Sequence, residues 1–198
     1  MLTLYHVSGT RSVRSLWLCY ELALDFELVS IDFSRDYRDT PEWRSISPAG
    51  KVPALRDGEL TMFESGAMQS YLLERYGERR LQPAAGTAQS ARFHQWCWFA
   101  EATLTRPLGL HRILRSGASD SSVLVAEGTR KAQDALAVVE TALQQHSYVL
   151  GDNFSAADIM LGYSLGLLEV LLDDNYPACL AYLARVRARP ACARALLA

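Results

Sequence analysis

The chain has 198 residues, 49% of them hydrophobic and 21% charged, with a formal net charge of −2. That is enough apolar material for one large core or two small ones, and it excludes a disordered chain. The near-neutral balance excludes a phosphate-tracking nucleic-acid binder, and the most apolar stretch, Ile159 to Leu172, is too short for a membrane span and carries Glu169.

In chain order, Leu2 to Val7 is apolar and β-rich and breaks at Ser8-Gly9. From Arg11 to Leu24 the apolar residues Val13, Leu16, Trp17, Tyr20 and Leu24 keep a 3.6-residue period, which predicts a helix. Phe26 to Asp32 alternates as a second strand. A strand, a crossover of helical length and a strand make a parallel pair with a right-handed connection. Residues 33–50 are polar and contain Pro41 and Pro48, with at most a short helix over Pro41 to Ile46. Val52 to Arg56 and Glu59 to Phe63 are short strands around Asp57-Gly58, a strong hairpin signal. Ser65 to Tyr76 is helical and Gly77 ends it. The first 78 residues therefore read βαβ-ββα, a four-stranded mixed sheet with helices.

Residues 79–89 change texture, charged and then Pro83-Ala-Ala-Gly86, and read as a linker. Residues 90–198 contain no convincing strand. Ala91 to Leu114, Val123 to Gln145, Ala156 to Leu171 and Ala178 to Arg187 are helical patterns, and the region reads as an all-α domain of about five helices, with Gly117 to Ser122 a polar loop. Arg185, Arg187, Arg189 and Arg194 read as a solvated helix face. Cys19, Cys97, Cys179 and Cys192 are widely spaced, without a CxxC, and His6, His94, His111 and His146 are scattered, so no metal site is expected. The opening MLTLYHVSGTR lacks the pattern of a signal peptide, which suits a reduced, cytoplasmic protein.

Three segments carry candidate chemistry. The loop Ser8-Gly9-Thr10-Arg11-Ser12 lies between the first strand and the first helix, where unpaired helix N–H groups favour an anion; taken alone, the loop reads more simply as one in which a hydroxyl caps the helix. A serine-hydrolase reading fails, because GxSxG is missing. Pro53 belongs at a strand start or edge, and Val52 before it is extended. If that bond is cis, Val52 can offer its own N–H and C=O to a peptide laid alongside. Glu64-Ser65 stands where the next helix begins. Ser65 is a plausible N-cap, and together the two can hold the ammonium and carboxylate of an α-amino acid.

The βαβ-ββα unit, Gly50-Lys-Val-Pro53, Glu64-Ser65, the segment YVLGDNFSAADIM from Tyr148, the tail YLARVRARP from Tyr182 and the all-helical second part together resemble the cytosolic glutathione S-transferases, bacterial-type, over the whole chain. The resemblance implies a thioredoxin-like first domain that binds glutathione as co-substrate, with no metal. It implies that Val52, before a cis Pro53, pairs its backbone with the cysteinyl part, that Glu64 and Ser65 hold the γ-glutamyl end, and that Lys51 meets the glycyl carboxylate. It implies a serine/threonine-type active-site loop whose hydroxyl favours the thiolate. Thr10 matches that position best, with Ser8 and Ser12 as alternatives and Tyr5 the main aromatic one; the class stays open.

By the same resemblance, the electrophile site lies between the domains along the first long helix of the second. Phe99 and Thr103 are candidate wall residues there, and Glu101 a candidate to reach the neighbour's glutathione in a homodimer. Ser155-Ala-Ala-Asp158 resembles the family's helix capping box and reads as a folding element, with Tyr148 or Leu150 supplying its hydrophobic contact. The implied activity is conjugation of glutathione to small hydrophobic electrophiles. The alternatives are glutathione-dependent peroxide or disulfide reduction and a non-catalytic glutathione-binding module. No cysteine stands in the Ser8 to Ser12 loop, which argues against members that use a protein thiol.

Overall fold

The computed structural model describes residues 1–105 and 122–198, the side chains of 122–125 excepted. Two compact units divide them: Met1–Leu81 with Ala188–Ala198, and Gln82–Arg187. The expectation of one helical domain running from 90 to 198 is corrected at its end, because the last eleven residues belong with the first unit.

The first unit follows the order β1 (Leu2–His6), α1 (Ser12–Glu21), β2 (Glu27–Ser30), α2 (Arg35–Arg38), α3 (Pro41–Ile46), β3 (Ala54–Asp57), β4 (Leu60–Phe63) and α4 (Ser65–Tyr76). The sheet order is β2-β1-β3-β4, with β1/β2 parallel and the other pairs antiparallel. This is the expected mixed, thioredoxin-like sheet. Strand alternation sorts the core into two faces. On one, Trp43 from α3 is fully buried with Val52 and Ala54 and meets Tyr5 edge-on at 5.6 Å. Leu4 and Leu55, one residue along, are buried toward the opposite face, where α1 packs on α4 and Ser15 Oγ reaches Met68 Sδ at 3.5 Å.

α2 was not anticipated within residues 33–50. Its start is local: Ser34 Oγ accepts from the Tyr37 N–H, and Asp32 in turn accepts from the Ser34 N–H and hydroxyl. The last helix, α9 (Pro190–Leu197), was given no bounds in the sequence reading, and it packs on α1. A two-pronged ion pair anchors it, with Arg189 Nε and Nη2 each donating to Glu21 at 2.7 Å, while Trp17 Nε1 donates to the same carboxylate at 2.9 Å.

The second unit holds α5 (Ala88–Trp98), a π-helical continuation over Phe99–Leu104, α6 (Ser122–Leu143), α7 (Ala156–Leu167), a 3₁₀ turn over Glu169–Leu171 and α8 (Pro177–Arg187). α7 is apolar on nearly every side, as a helix in the middle of a core must be. In the π turn the Ala100 carbonyl accepts from the buried Thr105 hydroxyl, and the Ser164 hydroxyl lies 3.1 Å from the same oxygen and 3.0 Å from the Met160 carbonyl. The capping box of α7 forms. The buried Asp158 carboxylate accepts from the N–H groups of Val149 and Ser155, from Ser155 Oγ and from Tyr182 Oη. Tyr148 supplies the ring contact, 5.5 Å from Phe154 and 6.5 Å from Tyr182. Glu140 of α6 caps α8 by accepting from the N–H groups of Ala178 and Cys179. The expected loop from Gly117 lies almost wholly outside the described residues.

The C-terminal arginines are not a plain solvated face. Arg187 forms a two-pronged pair with Glu169, Arg185 donates to the Ser147 carbonyl, and Arg194 stacks over Tyr20 at 4.0 Å. The pairing partners are distant in sequence and a helical pattern does not reveal them. All four cysteines are free thiols. Burial pushes the Cys19 thiol up to about 12, and burial with the nearby Glu140 does the same for Cys179.

Candidate glutathione site

The register of the sheet brings the three candidate segments to one end. β1 runs out at His6 into the Ser8–Ser12 loop. β3 is antiparallel to it, with Tyr5 opposite Ala54, so residues 51–53 enter the sheet beside the point where β1 leaves it. β4 is antiparallel again, with Phe63 opposite Ala54, so Glu64 and Ser65 leave the sheet there too. Neighbouring strands lie about 4.8 Å apart, so this end presents the loop, Val52 and Glu64-Ser65 in a row, long enough for an extended tripeptide. The hairpin at Asp57-Gly58 makes that juxtaposition.

Each segment is held locally. The Val52–Pro53 bond is cis, as the resemblance implies. The ladders of β3 begin at Ala54, and Val52 stands outside their register. Lys51 is exposed and its backbone is clamped by the buried Ser47, whose hydroxyl donates to the Lys51 carbonyl at 2.7 Å and accepts the Lys51 N–H at 3.2 Å. Gly50 makes the turn at φ +61°, and a Cβ there would stand 2.8 Å from the Arg44 guanidinium carbon. Ser47 went unnoticed in sequence. Its only signal is its place four residues before Lys51, in a Ser-Pro-Ala-Gly turn.

Ser65 is not the helix cap that its sequence position suggested. Glu64 is the cap residue of α4, at φ 74° and ψ 110°, and Ser65 is the first helical residue. No side chain caps this end, so neither group is consumed by the helix itself. A non-glycine residue in the left-handed region costs of order 1 kcal/mol and is found where the surroundings impose it, often at binding sites. The result is an exposed Glu64 beside a buried Ser65, whose hydroxyl has Arg14 Nη1 at 3.5 Å.

In the first loop the three hydroxyls separate. Ser8 is exposed, Thr10 half-buried and Ser12 fully buried. Ser12 faces inward, with its Oγ 2.8 Å from His6 Nδ1, 3.1 Å from the Val7 carbonyl and 2.7 Å from Thr10 Oγ1. Thr10 Oγ1 is also 2.7 Å from the Val7 carbonyl. Tyr5 points its ring into the Trp43 cluster. Arg11 is the exposed first cap of α1 and makes no side-chain cap bond.

In the second unit Phe99, Glu101 and Thr103 share the π turn. Phe99 is half-buried and meets Trp96 edge-on at 5.4 Å, Glu101 is half-buried and Thr103 exposed. Phe93 and Trp96 are core residues, while Trp98 is 69% exposed. A cavity of about 440 Å³ within this unit is lined by Arg92, Gln95, Trp96, Thr141, Gln145 and His146; Phe99, Glu101 and Thr103 are absent from its lining. Among the described residues no cluster of three or more His, Cys, Asp or Glu side chains suits a metal ion, and no helix is long and apolar enough to cross a membrane.

The fold and the end of its sheet define a thioredoxin-like domain followed by a mostly helical region. Comparison with known proteins narrows this. Residues 1–74 match the model of the glutathione S-transferase N-terminal domain, and residues 122–185 that of the glutathione S-transferase C-terminal domain. A glutathione S-transferase of Arabidopsis thaliana is 30% identical over 80% of this chain and 77% of its own length. A probable glutathione S-transferase of Oryza sativa is 29% identical over 92% and 89%. Among solved structures, a glutathione transferase family member of Pseudomonas fluorescens, with two glutathione bound, aligns with a TM-score of 0.90 at 26% identity, covering 98% of this chain and 92% of its own. A glutathione transferase of Methylococcus capsulatus aligns at 0.86 and 27%, covering 100% and 98%. The chain belongs to the glutathione S-transferase family. It is an enzyme of that family, a glutathione transferase, with glutathione as the thiol substrate.

Proposed function

We propose that the chain conjugates the glutathione thiolate to small hydrophobic electrophiles, with Thr10 as the hydroxyl that favours the thiolate. The observation that carries this reading is the convergence of the Ser8–Ser12 loop, Lys51–Pro53 and Glu64-Ser65 on one end of the sheet. Glutathione is a peptide with two carboxylates and one ammonium, and the residue types match it in order. Lys51 takes the glycyl carboxylate, the Val52 backbone the cysteinyl unit, and Glu64 and Ser65 the γ-glutamyl ammonium and carboxylate. Pro53 shapes the segment that presents Val52.

The thiol of free glutathione ionises near 8.5, so only a few per cent is thiolate at neutral pH. A hydrogen bond to the charged form is worth about 1.5–3 kcal/mol, or roughly one to two pKa units. Thr10 is supported over Ser12 by exposure, since Ser12 is buried and turned inward, and over Ser8 by its hydrogen bonds to the Val7 carbonyl and Ser12, which hold it in place. In the conjugation step the thiolate sulfur forms a bond to the electrophilic carbon, and the leaving group departs with its electron pair or, in an addition, the adjacent atom takes a proton. Phe99 and Thr103 are the candidate electrophile contacts. The protein acts as a homodimer in the cytoplasm, and Glu101 is the candidate residue toward the neighbour's glutathione.

Turnover of an aryl halide by wild type and by Thr10→Val tests the reading. Conjugation by wild type with a large loss of kcat in Thr10→Val is expected. A wild type that binds glutathione but accelerates no conjugation would contradict it. Sedimentation of the purified chain tests the dimer.

A further inference from the structure

The loop after β1 has more hydroxyl contacts than hydroxyl protons. Thr10 Oγ1 lies 2.7 Å from both the Val7 carbonyl and Ser12 Oγ, and accepts the Ser12 N–H at 3.3 Å. Ser12 Oγ lies 2.8 Å from His6 Nδ1 and 3.1 Å from the Val7 carbonyl, and accepts the Val7 N–H at 3.2 Å. Each hydroxyl carries one proton, a carbonyl oxygen only accepts, and a neutral imidazole has one N–H.

Two arrangements of protons are possible along the close contacts. If His6 Nδ1 is bare, Ser12 must give it its only proton, the 2.7 Å contact between the two hydroxyls takes the Thr10 proton, and the 2.7 Å contact of Thr10 with the Val7 carbonyl holds none. If Nδ1 carries the proton, His6 donates to Ser12, Ser12 donates to Thr10, and Thr10 donates to the Val7 carbonyl, so every close contact holds one proton. Only in the second arrangement can the Thr10 O–H pass from the Val7 carbonyl to the sulfur while the bond between the two hydroxyls is kept. We infer that His6 holds its proton on Nδ1, and that His6 and Ser12 are positioning residues whose bonds run from His6 to Ser12 to Thr10 and leave the Thr10 O–H to exchange the Val7 carbonyl for the glutathione sulfur. This rests on the reading of Thr10 given above.

Two observations favour that direction. His6 is 1% exposed, and its Nε2 makes no hydrogen bond of normal distance and angle among the described residues, whereas Nδ1 stands 2.8 Å from Ser12 Oγ, so the proton is better placed on Nδ1. Burial also lowers the imidazole below its ordinary value, opposed by the nearby Ala198 backbone, which keeps the ring neutral with a single proton to place. Hydrogen bonds in such a chain strengthen one another, so Thr10 becomes a better donor by accepting from Ser12.

Nitrogen-15 NMR of the histidine-labelled full chain, with glutathione bound, reads the tautomer directly. The proton is expected on Nδ1 of His6; a proton on Nε2 with Nδ1 bare overturns the inference. Ser12→Ala is expected to raise the pKa of the bound thiol by roughly half a unit to one unit with little change in glutathione Kd. A thiol pKa equal to wild type in a folded Ser12→Ala protein also overturns it. Thr10→Val, measured alongside, separates the two levels. If Thr10→Val raises the thiol pKa and Ser12→Ala does not, the relay alone fails. If Thr10→Val changes nothing, the reading of Thr10 fails and takes the relay with it.

Discussion

Replacing Asp158 by alanine should unfold the second unit far more readily without touching the chemistry. The carboxylate accepts four hydrogen bonds, from the N–H groups of Val149 and Ser155 at 3.1 and 2.8 Å, from Ser155 Oγ at 2.9 Å and from Tyr182 Oη at 3.0 Å. Tyr182 Oη keeps a second acceptor, the Asp158 carbonyl at 3.3 Å, so the donors that lose most are the two backbone N–H groups. Each stranded buried donor costs about 1–3 kcal/mol. Burial works against the carboxylate and raises its pKa above the ordinary value, despite those four donors. Removing it therefore also relieves a desolvation cost, and the net loss should be about 3 kcal/mol rather than the sum of the bonds. Urea unfolding followed by helix circular dichroism measures it, and kcat/KM well below the unfolding temperature should stay close to wild type. A loss under about 1 kcal/mol would refute the capping account, and a fall in kcat/KM of the folded variant would refute its separation from catalysis.

Tyr71 donates to Asp57 at 2.7 Å and Tyr76 donates to the same oxygen; the bond to Asp57 chiefly, with burial next, pushes Tyr71 up to about 12. The folded pKa is raised, so the stability from this bond is present below pH 10 and is lost as pH rises from there to about 12. Absorbance titration should place Tyr71 near the upper value and Asp57→Asn should bring it down; an unshifted Tyr71 in wild type would contradict the contact. Gly50→Ala adds about 1 kcal/mol of backbone strain and crowds Arg44, displacing Lys51. Glutathione KM should rise severalfold with kcat little changed, and an unaltered KM would remove Lys51 from the site. Glu64→Gln takes away the charge facing the ammonium and should weaken glutathione roughly tenfold by calorimetry; equal affinity would move the γ-glutamyl end elsewhere.

The sheet was legible in the sequence because its signals are local. The Asp57-Gly58 turn, the helical stripe of α1 and the position of Pro53 dictate which strands pair, and pairing alone carries Val52 and Glu64-Ser65 to one end. What was not legible depends on backbone geometry or distant partners. Nothing in a glutamate's chemistry announces φ 74°, so Ser65 was read as the cap. The three hydroxyls of the first loop are equivalent on paper, and only the folded course of the loop, which turns at Gly9 with φ 71°, shows that Ser12 faces His6. α9 docks through Arg189 and Glu21, 168 positions apart, which no helical period encodes. The π turn at Phe99–Leu104 likewise leaves no mark in composition, and one of its carbonyls is met by Ser164 from another helix.

The most direct test of the site is the ultraviolet titration of the thiolate of bound glutathione, in wild type and in Thr10→Val. The account predicts a bound thiol pKa below the free value of about 8.5, and a rise of roughly one to two units when the Thr10 hydroxyl is removed. A bound thiol that titrates like free glutathione in the wild type, or one that is lowered equally in Thr10→Val, would contradict it.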